Sequence, residues 1–136
     1  MPEATRRTVL CGLLALAGTA ACGPAAPRRT GGTGTAKPGA QLTTLADLPA
    51  TGGKLVDVEG GGVLLVVRAG DGTVRAFDPR CPHTGALVNP PAGGQIDCPL
   101  HGSTFDGETG ALRKGPASSS LRAVPVKVEH DRVLLG

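Results

Sequence analysis

The sequence predicts an all-β domain over residues 41–136. Three observations lead there. After residue 21, no stretch of about a dozen residues keeps its apolar side chains at helical spacing. Short apolar or alternating runs are instead separated by turns rich in Gly, Pro, Asn and Asp. Two of those turns, Cys-Pro-His-Thr-Gly at 81–85 and Cys-Pro-Leu-His-Gly-Ser at 98–103, each carry one cysteine and one histidine.

The elements follow in chain order. Leu42, Leu45 and Leu48, ahead of Pro49, form a lead-in expected to hold one helical turn. Lys54–Glu59 alternates as a strand does. Val63–Ala69, the turn Gly70-Asp71-Gly72 and Thr73–Phe77 read as a β-hairpin. The first Cys/His turn comes next, followed by the connection Asn89-Pro90-Pro91-Ala92-Gly93-Gly94. Gln95–Asp97 and Ser103–Phe105 are expected strands on either side of the second Cys/His turn. Asp106–Gly110 is a tight turn, and Leu121–Glu129 pairs with Arg132–Leu135 around His130-Asp131. His130 itself reads as a solvated turn residue.

The 40 residues ahead of this domain read as two segments. Residues 1–21 pair Arg6-Arg7 with the 13-residue apolar run Val9–Ala21. That run is shorter than the ~18–20 residues a membrane-spanning helix needs, so it reads as an export signal. Thr-Arg-Arg-Thr-Val-Leu resembles a twin-arginine export signal, and Thr19-Ala20-Ala21 before Cys22 resembles a lipoprotein cleavage site. A plain cut leaving a free Cys22 thiol is the alternative. Residues 22–40 contain no Leu, Ile, Val or aromatic residue and read as a flexible tether. Its last 18 residues would reach roughly 20–25 Å as a random coil. The expected location is the outer face of a bacterial cytoplasmic membrane or the cell envelope.

Composition narrows the function classes. The formal charge of +3 comes from the leader, because residues 41–136 hold nine Lys or Arg against ten Asp or Glu. A near-neutral domain argues against a phosphate-backbone partner, so no nucleic acid is expected. The chain has no Trp, no Tyr and two Phe, Phe77 and Phe105, so its core must be small and aliphatic. Of the four cysteines, Cys11 lies in the signal and Cys22 at its end, which leaves Cys81 and Cys98 for the two loops. No nucleophile–base set is visible, and no catalysis is expected from the chain alone.

Cys81, His83, Cys98 and His101 make a four-donor metal set of two soft thiolates and two imidazoles. Structural zinc also takes two cysteines and two histidines, although zinc modules usually pair like with like. The pattern C-x-H, 14 residues, C-x-x-H resembles the Rieske family. That resemblance implies an antiparallel β-sandwich with two cluster-binding loops at one tip. It also implies one [2Fe–2S] cluster per chain, with Cys81 and Cys98 on one iron and His83 and His101 on the other. Thr104–Gly110, Gly115-Pro116-Ala117 and the strand Leu121–Val128 extend it. By the same resemblance Gly85, Gly102, Ser103, Phe105 and Pro116 surround the cluster. Gly85 and Gly102 are expected to let backbone N–H groups approach its sulfurs.

The departures from the family are specific. Quinol-oxidising members carry a further cysteine in each loop, joined as a disulfide, where this chain has Ala86 and Leu100. They place a Tyr hydroxyl where Phe105 stands. The expected potential is therefore in the lower to middle part of a range of about −150 to +300 mV. The implied function is one-electron transfer by an exported, membrane-tethered monomer that serves a redox protein partner. Electron uptake is expected to couple to histidine protonation at alkaline pH. A subunit of a quinol:cytochrome c reductase or other oxidoreductase complex is the alternative, and a Cys₂His₂ zinc module a further one. Arg113-Lys114 is a candidate docking patch beside the Gly-Pro loop.

Overall fold

The computed structural model describes residues 30–136. The expected export signal, Cys22 and the first part of the tether lie outside those residues. The described chain is all-β: β1 (Thr30–Gly31), β2 (Gln41–Thr44), β3 (Gly52–Val58), β4 (Gly62–Arg68), β5 (Val74–Phe77), β6 (Gln95–Asp97), β7 (Thr104–Asp106), β8 (Leu112–Lys114), β9 (Ala123–Val124), β10 (Val126–Glu129) and β11 (Arg132–Leu135). Three sheets form. β4 is the hub of the largest, with β3 on one side and β5, continued by β9, on the other. The second sheet runs β10-β11-β2, and the third runs β6-β7-β8.

β4 explains how the layers stack. Its sequence, GVLLVVR, is apolar at consecutive positions, and Val63, Leu64, Leu65, Val66 and Val67 are all fully buried. A strand buried on one face alternates; a continuous apolar run marks one covered on both. Leu65 and Val67 point into a core with Phe77, Val88, Ile96, Phe105 and the two loop cysteines. Val66 points the other way, into a core with Leu48, Val56, Ala76 and Val133. The hub sheet is thus sandwiched between the other two. Each fully buried Val or Leu contributes roughly 1.5–3 kcal/mol, which lets an aliphatic core replace the missing aromatics.

Four sequence expectations change. Gln41–Thr44 is a strand paired with β11, where a helical turn was expected from 42 to 48; a turn follows at 45–47. The free edge of β11 offers those backbone groups better partners than one isolated helical turn would. Leu121–Glu129 is two strands, because Pro125 has no N–H to give a ladder. β9 pairs with β5 in the hub, and β10 pairs with β11 in the second sheet. β8, which pairs with β7, was not anticipated.

The fourth change concerns the expected tether, because residues 30–40 are docked. β1 lies parallel to the start of β4, Thr30 opposite Gly62 and Gly31 opposite Val63. The Gly32 N–H donates to Val63 (2.9 Å), the Thr35 N–H to Glu59 (2.8 Å) and the Gly39 N–H to Leu135 (2.7 Å). Ala36 and Ala40 pack on Val58, Leu64 and Leu135. The glycines that suggested flexibility serve close approach instead. A Cβ on Gly62 would sit 2.5 Å from the Gly32 carbonyl oxygen, and one on Gly60 would sit 2.5 Å from Thr35 Oγ1.

Candidate metal centre

The two Cys/His turns are built on one hydrogen-bonding scheme. In the first, the Cys81 N–H donates to the Ala86 carbonyl (2.7 Å) and the Gly85 N–H to the Cys81 carbonyl (2.8 Å). In the second, the Cys98 N–H donates to Ser103 (2.8 Å) and the Gly102 N–H to Cys98 (3.0 Å). Both loops therefore close from cysteine i to residues i+4 and i+5. Gly85 and Gly102 have φ of 75° and 76°, and a Cβ on either would meet nothing within 4 Å. Their glycines answer to left-handed backbone, a region that other residues rarely visit. The left-handed backbone is thus a second reason for glycine at both positions, beside the expected approach of N–H groups to the cluster sulfurs.

The loops arise from different sheets. The first follows β5 of the hub, and the second is the turn of the β6–β7 hairpin. Both cysteines are buried, each at 2% exposure, unpaired by any disulfide, in one core with Phe77, Ile96 and Phe105. His83 and His101 are exposed and meet edge to face, with ring centroids 5.0 Å apart. The four candidate donors thus sort into an inner thiol pair and an outer imidazole pair. Among the described residues, no three His, Cys, Asp or Glu side chains converge as a single-ion site would need. This donor set fits a two-iron cluster: soft thiolates on the protein side, imidazoles on the solvent side.

The surroundings fasten both loops. Ser103 is fully buried, and its Oγ accepts the Ala117 N–H at 3.0 Å, which ties the Gly115-Pro116-Ala117 loop to the second turn. The Gly115–Pro116 peptide is cis, and Pro116 is exposed. Phe105 is fully buried in the shared core. Leu100, at 59% exposure, stands beside His101, whereas Ala86 packs against the core. Arg113 is engaged with Asp106 Oδ2 at 2.5 Å, so of the expected docking pair only exposed Lys114 has no ion-pair partner here. His130 lies in the β10–β11 turn with φ of 58° and is not brought to the loops.

One part of the site was missed. Asp78 is buried beneath the first loop and accepts hydrogen bonds from the Arg80 N–H (3.0 Å) and from the Arg80 guanidinium. Burial pushes its carboxyl up, but the Arg80 hydrogen bonds and charge outweigh that and leave it below the usual carboxylate range. The Asp-Pro-Arg run directly before Cys81 was the available signal, since Asp often bonds backbone two residues on.

Comparison with known proteins now decides the family. The model of the Rieske [2Fe-2S] domain matches residues 41–125. The chain belongs to the Rieske family. It is 33% identical over 93 residues to the ferredoxin component of the naphthalene 1,2-dioxygenase/salicylate 5-hydroxylase systems of Ralstonia sp, covering 67% of this chain and 88% of that one. It is 35% identical over 86 residues to apoptosis-inducing factor 3 of Mus musculus, covering 61% of this chain and 14% of that protein. Among solved structures, the plasma membrane Rieske protein PetC3 from Synechocystis PCC 6803 is similar at a TM-score of 0.62. Their identity is 35%, over 71% of this chain and 97% of that one. The Rieske domain binds a [2Fe–2S] cluster and serves electron transfer.

Proposed function

We propose that this Rieske protein is an exported one-electron carrier, held at the outer face of a bacterial cytoplasmic membrane by a lipid on Cys22. Cys81 and Cys98 would hold one iron, and His83 and His101 the other. The observation that carries the reading is the contrast in exposure: both thiols at 2% and both imidazoles open to solvent. When bound, the cluster supplies a site that accepts and returns one electron. The chain does the rest. Buried cysteines keep water from the inner side, the i+4 and i+5 hydrogen bonds hold each loop in shape, and the exposed imidazole edges give a partner its point of approach. The Ralstonia relative, a ferredoxin component of dioxygenase and hydroxylase systems, supports a redox protein as partner.

The competing reading, a subunit of a quinol-oxidising complex, is disfavoured by Ala86 and Leu100. No disulfide joins the two loops through those positions, and Leu100 is bare at the surface. Purified holoprotein tests the centre itself. The expected product is red-brown, with two irons and acid-labile sulfide, and is reversibly reduced by one electron. A colourless protein with one zinc would overturn it. Cell fractionation and the mass of the amino-terminal peptide test the location. A cytoplasmic protein with an unmodified Cys22 would end the anchor reading while leaving the carrier intact.

A further inference from the structure

The docked segment 30–36 lies outside the stretch that matches the family model, 41–125. It meets the domain at the entry to the first cluster loop. The backbone of that entry is already held. The Asp78 N–H donates to the Arg122 carbonyl (2.9 Å), the Val88 N–H donates to the Pro79 carbonyl (2.8 Å), and Arg80 bridges to Leu87. Its side chains form a closed pair. Buried Asp78 accepts the Arg80 N–H at 3.0 Å and the Arg80 Nε–H at 3.0 Å to each carboxylate oxygen. Gly31 and Gly32 lie over this pair. A Cβ on Gly31 would sit 2.6 Å from Asp78 Oδ1 and 2.9 Å from Arg80 Cδ, with Arg80 Cγ closer still. One on Gly32 would sit 3.5 Å from Arg80 Nη2 and 3.7 Å from Asp78 Oδ2. Gly32 has φ of 104°, a region that favours glycine, but Gly31 does not have left-handed backbone. Conformation alone would allow alanine at 31; the Arg80 and Asp78 side chains forbid it.

We propose that Gly31 is a positioning residue for the cluster: its bare backbone seats Asp78 and Arg80 under the first loop, so that a strand ahead of the family's matched stretch holds Cys81 in place. The inference rests on the ligand reading given above. Asp78 Oδ1 holds both the Arg80 side chain and the Arg80 N–H. Turning that carboxylate aside therefore also frees the backbone of the residue joined to Cys81. Cover sets the strength of the pair. Beneath Gly31 and Gly32 the carboxylate is kept from water, where a charge-assisted bond is strong. Opened to solvent, the same pair becomes a surface contact worth little. β1 has two residues, opposite Gly62 and Val63, so one added methyl group decides whether it lies down on the pair.

The test uses full-length holoprotein with Gly31→Ala, Gly31→Val and, at an exposed site of the same segment, Pro38→Ala. Iron release to a chelator is expected to speed up by about tenfold in Gly31→Val, the scale of one hydrogen bond to a charged group, and by less in Gly31→Ala. Pro38→Ala should match the parent. The electron paramagnetic resonance g values of the reduced cluster should shift in both Gly31 variants, which a general loss of stability would not cause. In an Arg80→Ala background, with Cγ and Cδ gone, Gly31→Ala should add nothing further to either reading. Unchanged release, an unshifted spectrum, or an equal effect of Gly31→Ala with and without Arg80 overturns the proposal. Hydrogen exchange over residues 78–86, read at matched iron content, covers a variant that loses its cluster. Faster exchange in Gly31→Ala than in the parent is expected, and equal exchange overturns the proposal. A parent without two irons would end the ligand reading instead, and hydrogen exchange would still report whether Gly31 holds the loop.

Discussion

Replacing Ser103 by Ala separates what its hydroxyl does for the fold from what it does for the cluster. The side chain is fully buried, and its Oγ accepts the Ala117 N–H at 3.0 Å. Alanine leaves that N–H buried without a partner, at a cost of about 1–3 kcal/mol. Ser120 is the internal control: it accepts the Leu112 N–H, also at 3.0 Å, but at the surface. Water replaces that bond, so Ser120→Ala should stay within about 0.5 kcal/mol of the parent. A hydroxyl has two acceptor lone pairs and one proton, and the bond from Ala117 leaves Ser103 its proton to donate. Given to a cluster sulfur, it favours the reduced, more negative state by about 0.5–1.5 kcal/mol. At 59 mV per tenfold for one electron, its loss lowers the midpoint by about 20–65 mV. Guanidinium denaturation and film voltammetry read the two effects. If both serine variants lose equal stability, the burial argument is wrong. An unchanged midpoint in Ser103→Ala would mean that the hydroxyl proton does not reach the cluster.

Three further outcomes are expected. Gly110→Ala places a Cβ 2.7 Å from Phe77 Cε1 at φ of 70°, so it should cost about 1–3 kcal/mol in denaturation. Gly72→Asn, at φ of 89° with nothing within 4 Å, should cost much less. Asp106 accepts the Glu108 and Thr109 N–H groups, at 2.9 and 2.8 Å, and its pKa falls to about 2. A carboxyl depressed in the folded state stabilises above its unfolded value of about 4. That contribution should fade as pH falls from about 4 to about 2, and Asp106→Asn should flatten this part of the stability–pH curve. Asp78→Asn removes the charge that the buried base of the first loop gives Arg80. It should speed iron loss to a chelator at neutral pH, and Arg132→Gln, at an exposed position at the start of β11, should not.

The two loops were legible because everything they need is local. Cysteine, histidine, proline and glycine at fixed offsets specify a tight turn with its donors, and no distant residue has to be known. The hairpin around Gly70–Gly72 was legible for the same reason. The failures are all questions of partnership across the chain. Leu42, Leu45 and Leu48 carry a spacing that suits a helical turn until β11 supplies an edge for 41–44. Leu112-Arg113-Lys114 is too short to announce a strand until β7 lies beside it. The Gly-rich stretch 31–34 has the composition of a linker, and only the glycines at 60 and 62 make it a fitted surface. Sequence composition reports what a segment lacks; it does not report that a second glycine-rich segment lies opposite.

The same partnership determines how the centre is built. Cys81 hangs from the hub sheet and Cys98 from the β6–β7 hairpin, yet both enter one core with Phe77 and Phe105, the two phenylalanines of the chain. A cluster held by both cysteines would therefore join two sheets across the core that also carries both phenylalanines. Metal bound only to the folded chain stabilises it by mass action, so cluster loss would loosen this junction. The Ser103–Ala117 bond, the Asp78–Arg80 pair and the pairing of β1 with β4 each fasten a different approach to that junction.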